Sequence, residues 1–191
     1  MPSAGKAVIG LSLFLASFSG LAPLRAQPVN ADAQRVLRII EKIEKEGSPG
    51  PGAASRKEVV SETELNAYIA YRIASEKEEI MKELRLKLLP ENRVEGKIFI
   101  DLSGRRIPVF LKPQMDVYFA GTLETEGSKA RVRIESLFLG EQRIQPALLD
   151  LIIRAISKVE KTEPVSIEDW YDLPYGIRKM ETRAEELVVS Y

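Results

Sequence analysis

The longest regular signal in the chain is an alternation of apolar and polar residues. Leu84, Leu86 and Leu88 alternate with Arg85 and Lys87. Val94, Gly96, Ile98, Ile100 and Leu102 share one face against Glu95, Lys97 and Asp101, with Phe99 as the exception. Met115, Val117, Phe119, Gly121 and Leu123 repeat the pattern, as do Ala130, Val132, Ile134, Ser136 and Phe138 against Arg131, Arg133 and Glu135. A sustained period of two predicts antiparallel strands with one wet face. Turn-forming residues at 90–92, 103–106 and 126–128 separate the strands. Strands of ~10 residues, each spanning ~30 Å, are long against a usual ~5–6.

Three segments carry helical periodicity instead. In 31–45, Val36, Ile40 and Ile43 form a narrow stripe on a heavily charged helix, and a Gly/Pro/Ser linker follows at 47–55. That helix is either loosely attached or packed back on the domain. Ser61 and Glu64 form a capping box that opens a second helix carrying Leu65, Tyr68, Ile69 and Ile73. Pro146 opens a third over 147–159, where Leu148, Leu149, Leu151, Ile152, Ile153 and Ile156 cover more than half the circumference. A helix this apolar is expected to be covered on most sides. The chain closes with a hairpin turning at 185–186. The expected fold is α+β: a long curved antiparallel β-sheet wrapped around an apolar helix, with a preceding capped helix.

The first residues change the picture of where the protein works. Lys6 precedes an uncharged run over 7–22 rich in Leu and Phe; Gly20 and Pro23 break it, and Ala26 supplies a small residue at the exit. These are the features of a cleavable signal peptide at 1–26. The run is shorter than the ~20 apolar residues that span a bilayer. A mature start near Gln27 and a periplasmic or secreted location are expected. An N-terminal helix and linker then occupy 27–56, and a single α+β domain occupies 57–191.

Lys plus Arg and Asp plus Glu both number 28. Loss of Lys6 and Arg25 leaves the mature chain slightly acidic, without the basic excess of a nucleic-acid binder. The chain has no cysteine and no histidine. That removes a lipoprotein anchor, a disulfide, a thiolate metal site, the commonest general base and any Ser-His-Asp triad. Carboxylate pairs, a Ser-Lys dyad and oxygen-ligated calcium stay open. No cofactor and no catalytic role are expected.

Three groups of residues invite a functional reading. Arg105, Arg106 and Lys112 have the chemistry to hold a lipid head phosphate, and equally suit a solvated turn. Glu168, Asp169 and Asp172 beside Trp170 and Tyr171 offer carboxylate chemistry or sugar stacking, or an acidic loop whose aromatics cap the core. Val117, Phe119, Val132, Ile134, Phe138, Leu149, Ile152 and Ile153 would line an apolar groove, or fill a packed core.

Three pieces in order resemble a known family. They are Val60-Ser61-Glu62-Thr63-Glu64-Leu65-Asn66-Ala67-Tyr68, then Val94-Glu95-Gly96-Lys97-Ile98 with the hairpin over 115–134, then Leu173-Pro174-Tyr175-Gly176-Ile177 before a strand hairpin. Over about 57–191 the set resembles the LmeA-like and YceB-like envelope proteins, themselves similar to the tubular lipid-binding superfamily. The resemblance implies a sheet wrapped around a helix, enclosing an apolar groove for a lipid tail, with no catalytic residues to carry over. A tail of ~14 methylenes buried at ~0.8 kcal/mol each has an upper bound of ~11 kcal/mol. The implied partner is a lipid or other long apolar ligand, with peripheral membrane contact; the alternative is a structural or adaptor protein that holds an envelope protein partner. A hydrolase using carboxylates is a third reading.

Overall fold

A computed structural model describes residues 30–47, 55–76, 80–105, 107, 112–160, 166 and 168–191, without the side chains of Ile152 and 155–160. In chain order the elements are α1 (Ala31–Glu46), β1 (Lys57–Ser61), α2 (Glu62–Ser75), β2 (Met81–Leu88), β3 (Arg93–Asp101), β4 (Gln114–Glu126), β5 (Lys129–Leu139), β6 (Gln142–Arg143), α3 (Pro146–Glu160), β7 (Tyr171–Asp172), β8 (Lys179–Arg183) and β9 (Glu186–Ser190). The expected signal peptide lies outside the described residues.

The predicted strands pair as a curled antiparallel sheet in the order β2-β3-β4-β5-β6, with β7 also on β5. Turn chemistry fits the hairpins: Glu91 and Asn92 both take positive φ between β2 and β3, as do Gly127 and Ser128 between β4 and β5. One face is apolar throughout: Leu84, Leu86, Ile98, Val117, Phe119 and Val132 are all buried. Gly96 stands opposite Phe119, and a Cβ there would lie 2.3 Å from the ring. The glycine is what lets Phe119 lie flat across its neighbour strand.

The register shifts between Met81 and Glu83 at the start of β2, and again within β5. Gly121 pairs Ile134 and Ala120 pairs Ser136, so Glu135 is an extra residue, a β-bulge. Gly121 sits against it, where a Cβ would meet the Arg133 carbonyl oxygen at 2.4 Å. Beyond the bulge the parity of β5 is reversed, because a one-residue slip moves every side chain to the other face. Leu137 is buried opposite Phe119, and Phe138 lies half-buried beside exposed Tyr118 on the outer face.

A second, three-stranded sheet runs β1-β9-β8. It brings β1, absent from the sequence expectation, into register with the C-terminal hairpin. It closes the end of the large sheet that carries the β2–β3 and β4–β5 turns. Thr182 donates its N–H to Asn92 Oδ1 at 2.9 Å and its hydroxyl to the Leu89 carbonyl at 2.8 Å. Thr125 donates its hydroxyl to the Met180 carbonyl at 3.1 Å, and the Glu185 N–H bonds the Leu88 carbonyl at 3.0 Å.

The capping box forms as read: Glu64 N–H donates to Ser61 Oγ at 3.2 Å, and Ser61 N–H to Glu64 Oε2 at 2.9 Å. From this helix, α2, Asn66 makes paired 2.8 Å bonds with the Leu86 backbone, and Glu62 Oε2 accepts from the Leu88 N–H at 2.7 Å. These side chains occupy backbone groups on the free edge of β2, which blunts it against pairing with another chain. Helix α1 packs back: Ala33, Val36, Ile39, Ile40 and Ile43 are buried in the same core as α2 and the sheets. The core therefore begins at α1, ahead of the boundary expected at Lys57.

Candidate functional site: the apolar face of the sheet

The two ends of the large sheet differ. The closed end meets the three-stranded sheet. The opposite end gathers the start of β4, the end of β5, the loop between β3 and β4, and α3, which follows β6 by way of Ile144 and Gln145. The Leu102 N–H bonds the Pro113 carbonyl at 2.6 Å, so the stem of that loop is drawn together. Arg105 lies half-buried just past the stem and Lys112 is exposed on its other side. Both described head-group candidates thus stand at this end; Arg106 lies outside the described residues.

The groove candidates divide. Val117, Phe119 and Val132 are buried on the inner face of the sheet, and Leu149 and Ile153 of α3 are buried in the same apolar cluster. Ile134 is half-buried against that cluster. Phe138 does not belong to the inner row: the bulge at Glu135 turns it outward, and Leu137 takes the place expected for it. The backbone of Ile152 is helical and its side chain lies outside the description. The missed inner residue had a signal. Leu137-Phe138-Leu139 is a run of three apolar residues, and such a run marks a strand whose parity alternation alone does not set.

At this end a groove of about 420 Å³ lies between β5 and the start of α3. Ile134, Leu137, Ile144 and Pro146 supply its apolar walls, and Arg143 and Glu135 its polar ones. Its size is within the ~300–1,000 Å³ of small-molecule sites. Between α2 and β2 runs a larger groove, about 690 Å³, walled by Asn66, Ala67, Ala70, Ala74 and Leu84 among others.

The outer face of the sheet is organised by charge. Lys97 Nζ lies 3.1 Å from Asp116 Oδ1 as an ion pair without hydrogen-bond geometry, and Asp116 holds the Lys97 ammonium above its ordinary pKa. Arg131 and Arg133 donate to Glu124 at 2.8 and 2.9 Å and keep its carboxyl low. Arg131 also lies 4.5 Å from the centroid of the Trp170 ring. Two carboxylates of the acidic loop have partners: Asp169 Oδ2 accepts from the Ser166 N–H at 2.8 Å, and Asp172 pairs with Lys129 at 3.3 Å. Tyr171 donates to the Ser166 carbonyl at 2.8 Å; burial, then Asp169 and Asp150, push its phenol well up. Among the described residues no group of three or more acidic side chains is placed to share a metal ion.

Comparison with protein-family models, curated proteins and solved structures yields no match.

Proposed function

We propose that this is an exported, non-catalytic protein of the cell envelope that binds or transfers a lipid. An acyl chain would lie along the inner face of the curled sheet under α3, the helix around which the sheet was expected to wrap, with the head group toward Arg105 and Lys112. Support comes chiefly from the asymmetry of the sheet: one end is closed by a second sheet, and the other carries cations, an apolar helix and a groove. The competing reading is an envelope adaptor with a solid core. Its support is the depth at which Val117 and Val132 are already buried by protein, at 0% and 1% exposed.

Native mass spectrometry of the protein purified from its membranes, together with titration of a fluorescent fatty-acyl probe, tests the lipid reading. Co-purified lipid and saturable probe binding are expected. The variant Ile153→Trp separates the two readings. In a groove that holds a tail it blocks the probe at little cost in stability; in a packed core it costs ~1–3 kcal/mol by overpacking. Absence of probe binding below the micelle concentration leaves the adaptor.

A further inference from the structure

We infer that the outer face of α3 docks on an anionic lipid bilayer. This rests on the lipid-binding reading above and names the surface from which the ligand would enter. Among the described residues four large apolar side chains are exposed: Val59, Tyr118, Leu148 and Leu151. Two of the four stand on α3, three residues apart and so on one face, at 36% and 54% exposure. Their helix is otherwise committed inward through Leu149 and Ile153, so contact with a surface need not unpack it.

The charge around this face selects the occupant. On the outer face of the sheet Arg85, Lys87, Lys97, Arg131 and Arg133 each have a carboxylate partner. Arg154, one turn beyond Leu151, and Arg143, three residues ahead of α3, are both exposed and have no carboxylate partner among the described residues. Asp150 is half-buried and accepts from the Ser166 hydroxyl at 2.9 Å. Among the described residues, then, two exposed leucines stand beside arginines without a carboxylate partner. That pairing suits the interface of a membrane, with apolar side chains at the acyl boundary and cations among anionic head groups. No helix among the described residues is long and apolar enough to cross a membrane, and α3 would lie along the surface.

The test is co-sedimentation of the mature chain with vesicles of phosphatidylcholine, with and without a minority of phosphatidylglycerol. Binding to the anionic vesicles is expected, weakening with salt. Leu151→Ser should reduce the partition coefficient roughly tenfold or more, and Arg154→Gln about fivefold, both with an unchanged circular dichroism melt. No binding to anionic vesicles, or binding indifferent to both substitutions, overturns the inference. So does a dimer in solution that Leu151→Ser dissociates, which would make a second copy the occupant. Titration of the acyl probe without vesicles keeps the two proposals apart. Probe binding without vesicle binding ends the docking surface alone, and vesicle binding without probe binding ends the groove alone.

Discussion

Helices α1 and α3 sit in different parts of the molecule and reverse what their compositions suggest. Helix α1 is charged on most faces, yet five of its apolar residues are buried, and Ala33, Val36 and Ile43 are fully inaccessible. Its charges are also used. Arg35 pairs with Glu64 of α2, Lys42 with Glu58 of β1, and Glu46 with both Arg56 and the Tyr191 hydroxyl. Helix α3 is far more apolar and still exposes Leu148 and Leu151. The amount of apolar surface on a helix does not say where it goes. A narrow stripe that matches its neighbours is buried completely, whereas a surplus beyond what the fold covers stays exposed.

The sharpest way to break this comparison is at Ile43. An unpaired carboxylate at a fully buried site should cost on the order of 4 kcal/mol or more, so Ile43→Asp should leave little folded protein in a urea titration. A loss under about 1 kcal/mol would mean that α1 is not part of the core. On α3, Leu149→Ala should cost ~2–5 kcal/mol as a cavity-forming change.

Next in size is the shared inner face that joins the two ends. Gly96→Ala places a methyl group against the Phe119 ring. The ring must shift, at ~1–3 kcal/mol. Gly96→Ala combined with Phe119→Leu should recover part of that loss; no recovery would place the strain elsewhere.

The tie between α1 and α2 is smaller and depends on pH. Burial pushes the Glu64 carboxyl up, but the Ser61 backbone and the Arg35 guanidinium outweigh it and hold the group below its ordinary value of 4.5. A carboxyl lowered in the folded state adds stability that is fully present above the unfolded pKa and lost as pH falls through the folded one. Glu64→Gln should cost under about 1 kcal/mol at neutral pH. The gap between variant and parent should narrow as pH falls below about 4.5. A gap of equal size at pH 7 and at pH ~3 would assign the loss to the cap alone.

Much of this was legible in the sequence because it is written in local chemistry. The capping box at Ser61 and Glu64, the turns at Asn92 and Gly127, and the period-two rows of β3 and β4 all formed where the residues ask for them. What stayed hidden depends on tertiary contacts. Nothing in Ser136-Leu137-Phe138 states that Glu135 is extra; the bulge exists only relative to β4, and it moved Phe138 out of the candidate groove. The closing of β1 onto β9 joins residues more than a hundred positions apart. The burial of α1 follows from partners on α2 and the small sheet that no pattern within 31–45 contains.

The smallest expected effect decides most about α3. Leu149 and Leu151 are the same residue type, two positions apart on one helix, and differ by 5% against 54% exposure. Hydropathy treats them alike, so any difference in their response measures the facing of the helix. Exposed positions away from special contacts usually change stability by no more than about 0.5 kcal/mol. Leu151→Ser should fall in that range by urea denaturation, while Leu149→Ser should lose several kcal/mol through lost burial and a cavity. If Leu151→Ser were as costly as Leu149→Ser, α3 would be covered on both sides, as its composition alone suggests, and no apolar face would remain to meet a membrane.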